Sequence, residues 1–353
     1  MRHKRTLWRL LTLAIALCAT VLTLAACGSS DDDSGGTADN VRTTDTGQLA
    51  EMTRATLVLD FVPNAVHAGI YRAIAAGYYR DHNIDLKVIQ PTSTADTLRL
   101  INAGKADFGL ADGMDVANQI GEGLDIEAFL AIVQRPLGGV ITLESDGIAS
   151  GKDFEGKTVG VTGVPSDNAI LETIVRDGGG DPDKVKVVTI GFNGVQNLES
   201  GKIAGFTGFW PADGVQVNVD GKPTRDFKLD EHGGPVYPGL VAFSTREHIA
   251  QDPALIRAFA AATVQGYEDT IRDPATSLRD LLAENKELRE DITSAQLDAY
   301  GPLFQGDAAR FGTIDPAAVE ALSTWMVDNG LAREPFTPEV YGGDSYLPAA
   351  GGS

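Results

Sequence analysis

Leu57-Val58-Leu59-Asp60-Phe61-Val62-Pro63-Asn64-Ala65-Val66-His67-Ala68-Gly69-Ile70-Tyr71 decides the architecture of this chain. Residues 56–59 are apolar and β-favouring, Pro63-Asn64 breaks the strand, and from Val66 to about Tyr79 the apolar positions recur at helical spacing. A strand that turns at once into a helix is the opening half of a βαβ unit. The next segments extend it, with a strand predicted over 84–89, a helix over 94–103 and a strand over 106–110. Such alternation implies an α/β fold built on a mainly parallel sheet.

A second series begins after Glu144-Ser145-Asp146-Gly147. Residues 157–161 predict a strand, 166–176 a helix stopped by Gly178-Gly179-Gly180, and 185–190 and 206–210 two further strands. Beyond 236–243 the character turns helical. Ile256, Phe259, Ala260, Val264, Tyr267 and Ile271 share the face of a helix over 253–271, and more helices follow near 276–283, 294–304 and 316–329. Two α/β series and a return into helices describe two lobes crossed twice by the chain. Lobe one takes 53–143 and 242–346, lobe two takes 144–241, and 347–353 is a flexible tail. Ligands of open sheets sit beyond the carboxyl ends of strands, so the expected site is the cleft between the lobes.

The start of the chain has a different logic. Arg2, Lys4, Arg5 and Arg9 precede an apolar run from Leu10 to Leu24, which ends in Leu24-Ala25-Ala26-Cys27. A basic head, a short apolar core and small residues before a cut site make residues 1–26 an export signal. Leu-Ala-Ala-Cys resembles the bacterial lipobox. That resemblance implies cleavage before Cys27, acylation of its thiol by palmitate-type chains, and a protein anchored outside the cytoplasmic membrane. Residues 27–52, with Asp31-Asp32-Asp33-Ser34-Gly35-Gly36, read as a flexible tether. Cys18 lies within the signal, so the mature chain can form no disulfide and no cysteine metal site.

The 353 residues carry 29 Lys and Arg against 49 Asp and Glu, a formal charge of −20. Loss of the signal removes four basic residues and no acidic ones, giving −24. So acidic a surface argues against nucleic acid and anionic lipid as partners. No second apolar run approaches the ~20 residues that span a bilayer.

Strand ends supply the candidate ligand-binding residues. At the first, Phe61 offers an aromatic ring and Asn64 a helix cap. His67 and Tyr71 follow one turn apart, where both could face the cleft. Asp112 ends the run Ala106-Asp107-Phe108-Gly109-Leu110-Ala111 among small residues that let a ligand approach backbone. Val161-Thr162-Gly163-Val164-Pro165-Ser166-Asp167-Asn168 opens a helix whose N-terminus suits an anion or amide, which selects Ser166, Asp167 and Asn168. Trp210 and Asp213 stand at a fourth end. Packing and ordinary capping explain each of these singly; four ends together indicate a site.

These motifs together resemble the extracytoplasmic solute-binding proteins of ABC importers. The branch resembled includes formylaminopyrimidine-binding proteins and the thiamine-pyrimidine synthases. The likeness rests on Leu59-Asp60-Phe61-Val62-Pro63-Asn64 with His67-Ala68-Gly69-Ile70-Tyr71, on Gly104-Lys105-Ala106-Asp107-Phe108-Gly109, and on Asp153-Phe154-Glu155-Gly156-Lys157. Gly266-Tyr267-Glu268 and Trp325-Met326-Val327-Asp328-Asn329-Gly330-Leu331 add to it. It implies a two-lobed periplasmic-binding-protein fold of type II. It also implies a small-molecule ligand related to thiamine pyrimidine precursors, an ABC permease with its ATPase as partners, and a monomer without cofactor or metal. The family pattern has tryptophan where Phe61 stands and an acidic pair where Asp167-Asn168 stands, so riboflavin, another pyrimidine and an aliphatic sulfonate, taurine or nitrate stay open.

Enzymatic readings find little support. The chain contains no Gly-x-Ser-x-Gly, His-Glu-x-x-His or Gly-x-x-x-x-Gly-Lys run, and His3, His67, His82, His232 and His248 have no ligand spacing. The synthase relatives use a histidine with pyridoxal phosphate and a cysteine-rich iron site; His67 matches their motif, but the exported chain lacks the cysteines. Arg135 is the one strand-end cation that would favour an anionic ligand, and an ion pair is its expected role.

Overall fold

The computed structural model describes residues 47–349. The expected export signal, Cys27 and the expected tether up to residue 46 lie outside the described residues. The chain runs β1 (Thr53–Val58), α1 (Ala68–Ala76), α2 (Tyr78–Asp81), β2 (Ile84–Ile89), α3 (Thr94–Asn102), β3 (Phe108–Ala111), α4 (Gly113–Gly121) and β4 (Ile126–Val133). It continues through β5 (Gly138–Leu143), β6 (Thr158–Val161), α5 (Pro165–Asp177), β7 (Lys186–Thr189), α6 (Gly194–Glu199), β8 (Gly205–Phe209), α7 (Val215–Val219) and β9 (Thr224–Lys228). After β10 (Leu240–Thr245) come the helices α8 (Arg246–Gln251), α9 (Pro253–Arg272), α10 (Pro274–Glu284), α11 (Glu290–Gln305) and α12 (Pro316–Asp328).

Two five-stranded sheets share one wiring. Their orders are β2-β1-β3-β10-β4 and β7-β6-β8-β5-β9, with three parallel neighbours on one side and an antiparallel strand beside them. The expectation of mainly parallel sheets holds, since four of the five strands in each sheet run the same way and one runs against them. β10 runs antiparallel to β3 and β4, and β5 runs antiparallel to β8 and β9. Each antiparallel strand is also the one that enters from a crossing. β5 pairs in the second sheet, so the first crossing falls at 134–137 rather than at 143, and the second occupies 229–239. Arg135, in the first crossing, donates through Nε to Asp230 Oδ2 in the second at 2.9 Å, which ties the crossings together.

Burial follows from the residues. β4 reads Ile-Glu-Ala-Phe-Leu-Ala-Ile-Val and is buried along its whole length, as a strand covered on both faces must be. Its one acid, Glu127, is met by Arg246 Nη1 at 3.2 Å and by the Tyr346 hydroxyl at 3.2 Å. Phe108, Phe129 and Phe259 form the centre of the first core, with the Phe108 and Phe259 rings stacked at 3.9 Å. Each such ring contributes about 1.5–3 kcal/mol on leaving water. Three late helices begin with Asp-Pro, where proline suits the first turn and the aspartate accepts an N–H from Leu255, Thr276 or Ala317.

Several motifs behind the family resemblance are scaffold. A Cβ on Gly266 would lie 2.1 Å from Gly69 O, and one on Gly69 would strike the Tyr267 ring, so these glycines let α1 and α9 pack backbone to backbone. The Tyr267 hydroxyl closes the contact by donating to Val66 O at 2.7 Å. Asp107 accepts the Thr56 N–H at 2.7 Å and locks the start of β3 to β1.

The ends of the fold are tighter than their composition suggests. Leu49 is 3 % exposed in the first core, and its carbonyl accepts from Asn83 Nδ2 at 2.6 Å, so packing begins inside the stretch read as tether. Leu347 also joins that core, and Pro348 O accepts from Arg310 Nη1 at 2.7 Å, which corrects the expected flexible tail at those two positions.

Candidate functional site

The carboxyl ends of β1, β3, β6 and β8 converge on a cleft of about 860 Å³, measured out to its open mouth. Its walls are apolar, from Phe61, Leu110, Ile170, Phe192, Phe206 and Phe209, and five aspartates line it: Asp60, Asp112, Asp115, Asp167 and Asp213. No Lys, Arg or His stands among the described lining residues. Phe61, after β1, meets Phe192, after β7, edge to face with centroids 4.3 Å apart, so one ring from each sheet closes the cleft. The Ser166 hydroxyl on α5 donates to Asp115 Oδ1 on α4 and makes a second link of the same kind.

The five acids differ in what already occupies them. Asp167 is saturated: Oδ2 accepts from Thr162 Oγ1, Gly163 N and Val164 N at 2.7, 3.0 and 3.3 Å, and Oδ1 accepts from Thr207 Oγ1 at 2.9 Å. It holds the β6–α5 turn to β8. Asp112 caps α4 by accepting the Met114 N–H at 2.8 Å, and its other oxygen faces the Tyr237 hydroxyl at 3.5 Å. The remaining three each keep one oxygen without a hydrogen bond among the described residues. Asp60 uses Oδ1 for His67, Asp115 uses Oδ1 for Ser166, and Asp213 uses Oδ2 for the Phe209 N–H at 3.0 Å.

Burial without cations raises the affinity of Asp112, Asp115, Asp167 and Asp213 for protons, because an ionised carboxylate loses its hydration there. It pushes Asp115 up to about 7. Asp213 also rises to about 7 through burial, with the charge of Asp226 adding to it. Asp112 lies well above the usual carboxylate range, from burial first and then from Asp115 and Asp60. Even Asp167 is raised, because its burial outweighs its four hydrogen bonds.

Six of the ten expected ligand residues line the cleft: Phe61, Asn64, Asp112, Ser166, Asp167 and Asp213. Asn64 does so with its amide engaged, Oδ1 accepting the Val66 N–H at 2.9 Å and Nδ2 donating to Val62 O at 3.1 Å. His67, Tyr71, Asn168 and Trp210 lie outside it. The helix begins with a tight turn over Ala65–His67 that swings the His67 ring back into the protein, where it is 0 % exposed. Nδ1 accepts the Asn64 N–H at 3.2 Å, which places the ring proton on Nε2, donated to Asp60 Oδ1 at 2.8 Å. His67 thus holds Asp60 rather than a ligand. Tyr71 packs in the first core, and Asn168 is exposed on the outer face of α5. Trp210 is turned away by the wide turn over Trp210–Gly214 and lies under Lys228 Nζ, 4.3 Å from its ring centroid. Arg135 makes the ion pair already described and is not among the lining residues.

Sequence reasoning passed over Asp60, Asp115, Thr162, Phe192, Phe206, Thr207 and Phe209. Asp60 and Phe209 sit at strand ends already singled out. Asp115 needed α4, which begins at Gly113 behind its Asp112 cap. Phe192 lies between Gly191 and Gly194 after β7, an aromatic in a glycine-flanked loop that could have been picked out as a strand end.

A family model described as NMT1/THI5 like matches residues 64–277, more than half of the chain. The chain is similar to the formylaminopyrimidine-binding protein of Halalkalibacterium halodurans, 26 % identical over 333 residues that cover 92 % of this chain and 96 % of the relative. It is also similar to the 4-amino-5-hydroxymethyl-2-methylpyrimidine phosphate synthase of Schizosaccharomyces pombe, at 23 % identity over 82 % of this chain and 85 % of that protein. Among solved structures, the alkanesulfonate-binding protein SsuA of Xanthomonas axonopodis matches with a TM-score of 0.65 at 13 % identity, covering 85 % of this chain and 99 % of the other. That likeness establishes the two-lobed fold of a periplasmic binding protein.

Proposed function

We propose that this chain, which belongs to the NMT1/THI5-like family, is the extracytoplasmic solute-binding component of an ABC importer and captures a small nitrogen heterocycle related to thiamine pyrimidine precursors. The observation that carries this reading is the lining of the cleft, with aromatic walls around five aspartates and no Lys, Arg or His among its described residues. The faces of a heterocycle stack on Phe61, Phe192 or Phe209, each contact contributing about 1–3 kcal/mol. Its amino N–H groups donate to carboxylate oxygens, which only accept when ionised. A sulfonate or nitrate brought into the same cleft would meet carboxylates instead of cationic donors.

The pairs Phe61–Phe192 and Asp115–Ser166 join the two sheets across the cleft. In this reading they belong to the closed form, and ligand shifts the population toward it for the permease to recognise. The protein works as a monomer, held at the membrane through acylated Cys27. Binding rather than catalysis is favoured because His67, the residue in the synthase-like motif, is sealed from the cleft by Asp60 and Asn64.

A thermal-shift screen of pyrimidines, riboflavin, taurine and alkanesulfonates tests the proposal. Ligand at 100 times its dissociation constant stabilises the fold by about 2.7 kcal/mol. Stabilisation by an aminopyrimidine is the expected outcome; stabilisation by sulfonates alone would overturn it.

A further inference from the structure

Asp60, Asp115 and Asp213 line the cleft, each with one oxygen unoccupied by protein among the described residues. Asp60 and Asp115 are 6 % and 5 % exposed and Asp213 is half-buried. The charges nearest the cleft do not relieve them. Asp226 stands behind Asp213 and adds negative charge, Lys228 is drawn away over the Trp210 ring, and Arg135 is spent on Asp230. Among the described residues no three acids or histidines converge as metal ligands do. Burial pushes Asp115 and Asp213 up to about 7, so above that pH their charge is open to an organic cation brought in by the ligand.

We propose that the ligand enters as a cation, a protonated amine or amidine borne on an aromatic or heteroaromatic ring, with Asp60, Asp115 and Asp213 receiving its N–H groups. A neutral aminopyrimidine offers two N–H donors on one amino group and leaves at least one carboxylate facing the apolar walls unpaired. A desolvated carboxylate is costly unless paired, and a charge-assisted hydrogen bond is about twice as strong as a neutral one. The Phe61–Phe192 pair, sharing the same cleft, supplies ring faces that suit both the heterocycle and its charge. The inference rests on the cleft being the binding site and adds charge to the ligand class proposed for it.

Titration calorimetry on the mature chain at pH 7.5 separates the two claims. The first pair of probes is a 4-amino-2-methylpyrimidine bearing a 5-aminomethyl group and the same ring bearing 5-hydroxymethyl. The second pair is benzylammonium and benzyl alcohol, which tests charge with no heterocycle present. The charged member of each pair should bind about tenfold tighter or more. In Asp60→Asn, Asp115→Asn and Asp213→Asn combined, with the fold checked by circular dichroism, that advantage should vanish. Equal or tighter binding of the neutral pyrimidine would overturn the charge inference and leave the heterocycle reading standing. Preference for benzylammonium with no binding of either pyrimidine would do the reverse. No preference within either pair would overturn the inference outright.

Discussion

Asp213→Asn should stabilise the ligand-free protein, and by an amount that grows with pH. The Asp213 carboxyl is pushed up to about 7 by burial, against 3.8 for the same group in water. As pH rises, the unfolded chain therefore loses this proton before the folded one does. Stability contributed by the group falls between about pH 4 and 7, and the full penalty is present above 7. Each tenfold difference in proton affinity between the folded and unfolded chain is worth about 1.36 kcal/mol, so the penalty is about 4 kcal/mol at pH 8 and about 1.5 kcal/mol at pH 5. Asparagine keeps the shape and can accept the Phe209 N–H through its own oxygen, so the existing 3.0 Å bond survives. Urea melts of both proteins at pH 5 and pH 8 check this. The gain of the variant over wild type should rise by about 2.5 kcal/mol between the two. Parallel stability curves would show that Asp213 is solvated or already paired, and the electrostatic reasoning about the cleft would fail with it.

His67→Ala should destabilise the fold by about 2–4 kcal/mol, because it empties a sealed space and strips Asp60 of its donor; denaturant melts at pH 7 with unchanged stability would restore a ligand-facing role for the ring. Phe61→Ala and Phe192→Ala should each weaken ligand binding by about 1–3 kcal/mol and be non-additive when combined, as rings in contact are; a double-mutant cycle by calorimetry with additive effects would separate them. Cys27→Ala should leave folding and affinity intact while uncut precursor or released protein replaces the membrane-held form, which fractionation and immunoblotting would show.

The parts of the fold legible in the sequence were those with strong local periodicity. The strand at 84–89 and the helices near 166–176 and 253–271 lie within a residue of their observed bounds, since their apolar spacing is also their burial pattern. β5 was missed because it opens with Gly138-Gly139, which reads as a turn. A Cβ on Gly139 would lie 2.5 Å from Phe227 O, so the glycine there serves close strand packing. β9 was missed because Thr-Arg-Asp-Phe-Lys has almost no apolar run, its place in the sheet coming from pairing with β5. The site was legible as strand ends but not as side-chain directions. His67 and Trp210 sit where expected along the chain, and each is turned away by a short irregular helix that no periodicity encodes. Asp167 was chosen for its carboxylate, whereas tertiary contacts with Thr162 and Thr207 commit it to structure.

The most direct test is to identify what the protein already carries. Chain purified from its native cells without added ligand would be unfolded, and the released small molecule identified by mass spectrometry. The account predicts an amino-bearing nitrogen heterocycle, near one per chain before losses, absent from protein in which Asp60, Asp115 and Asp213 are replaced by asparagine. Recovery of a sulfonate or another anion at that stoichiometry would contradict it.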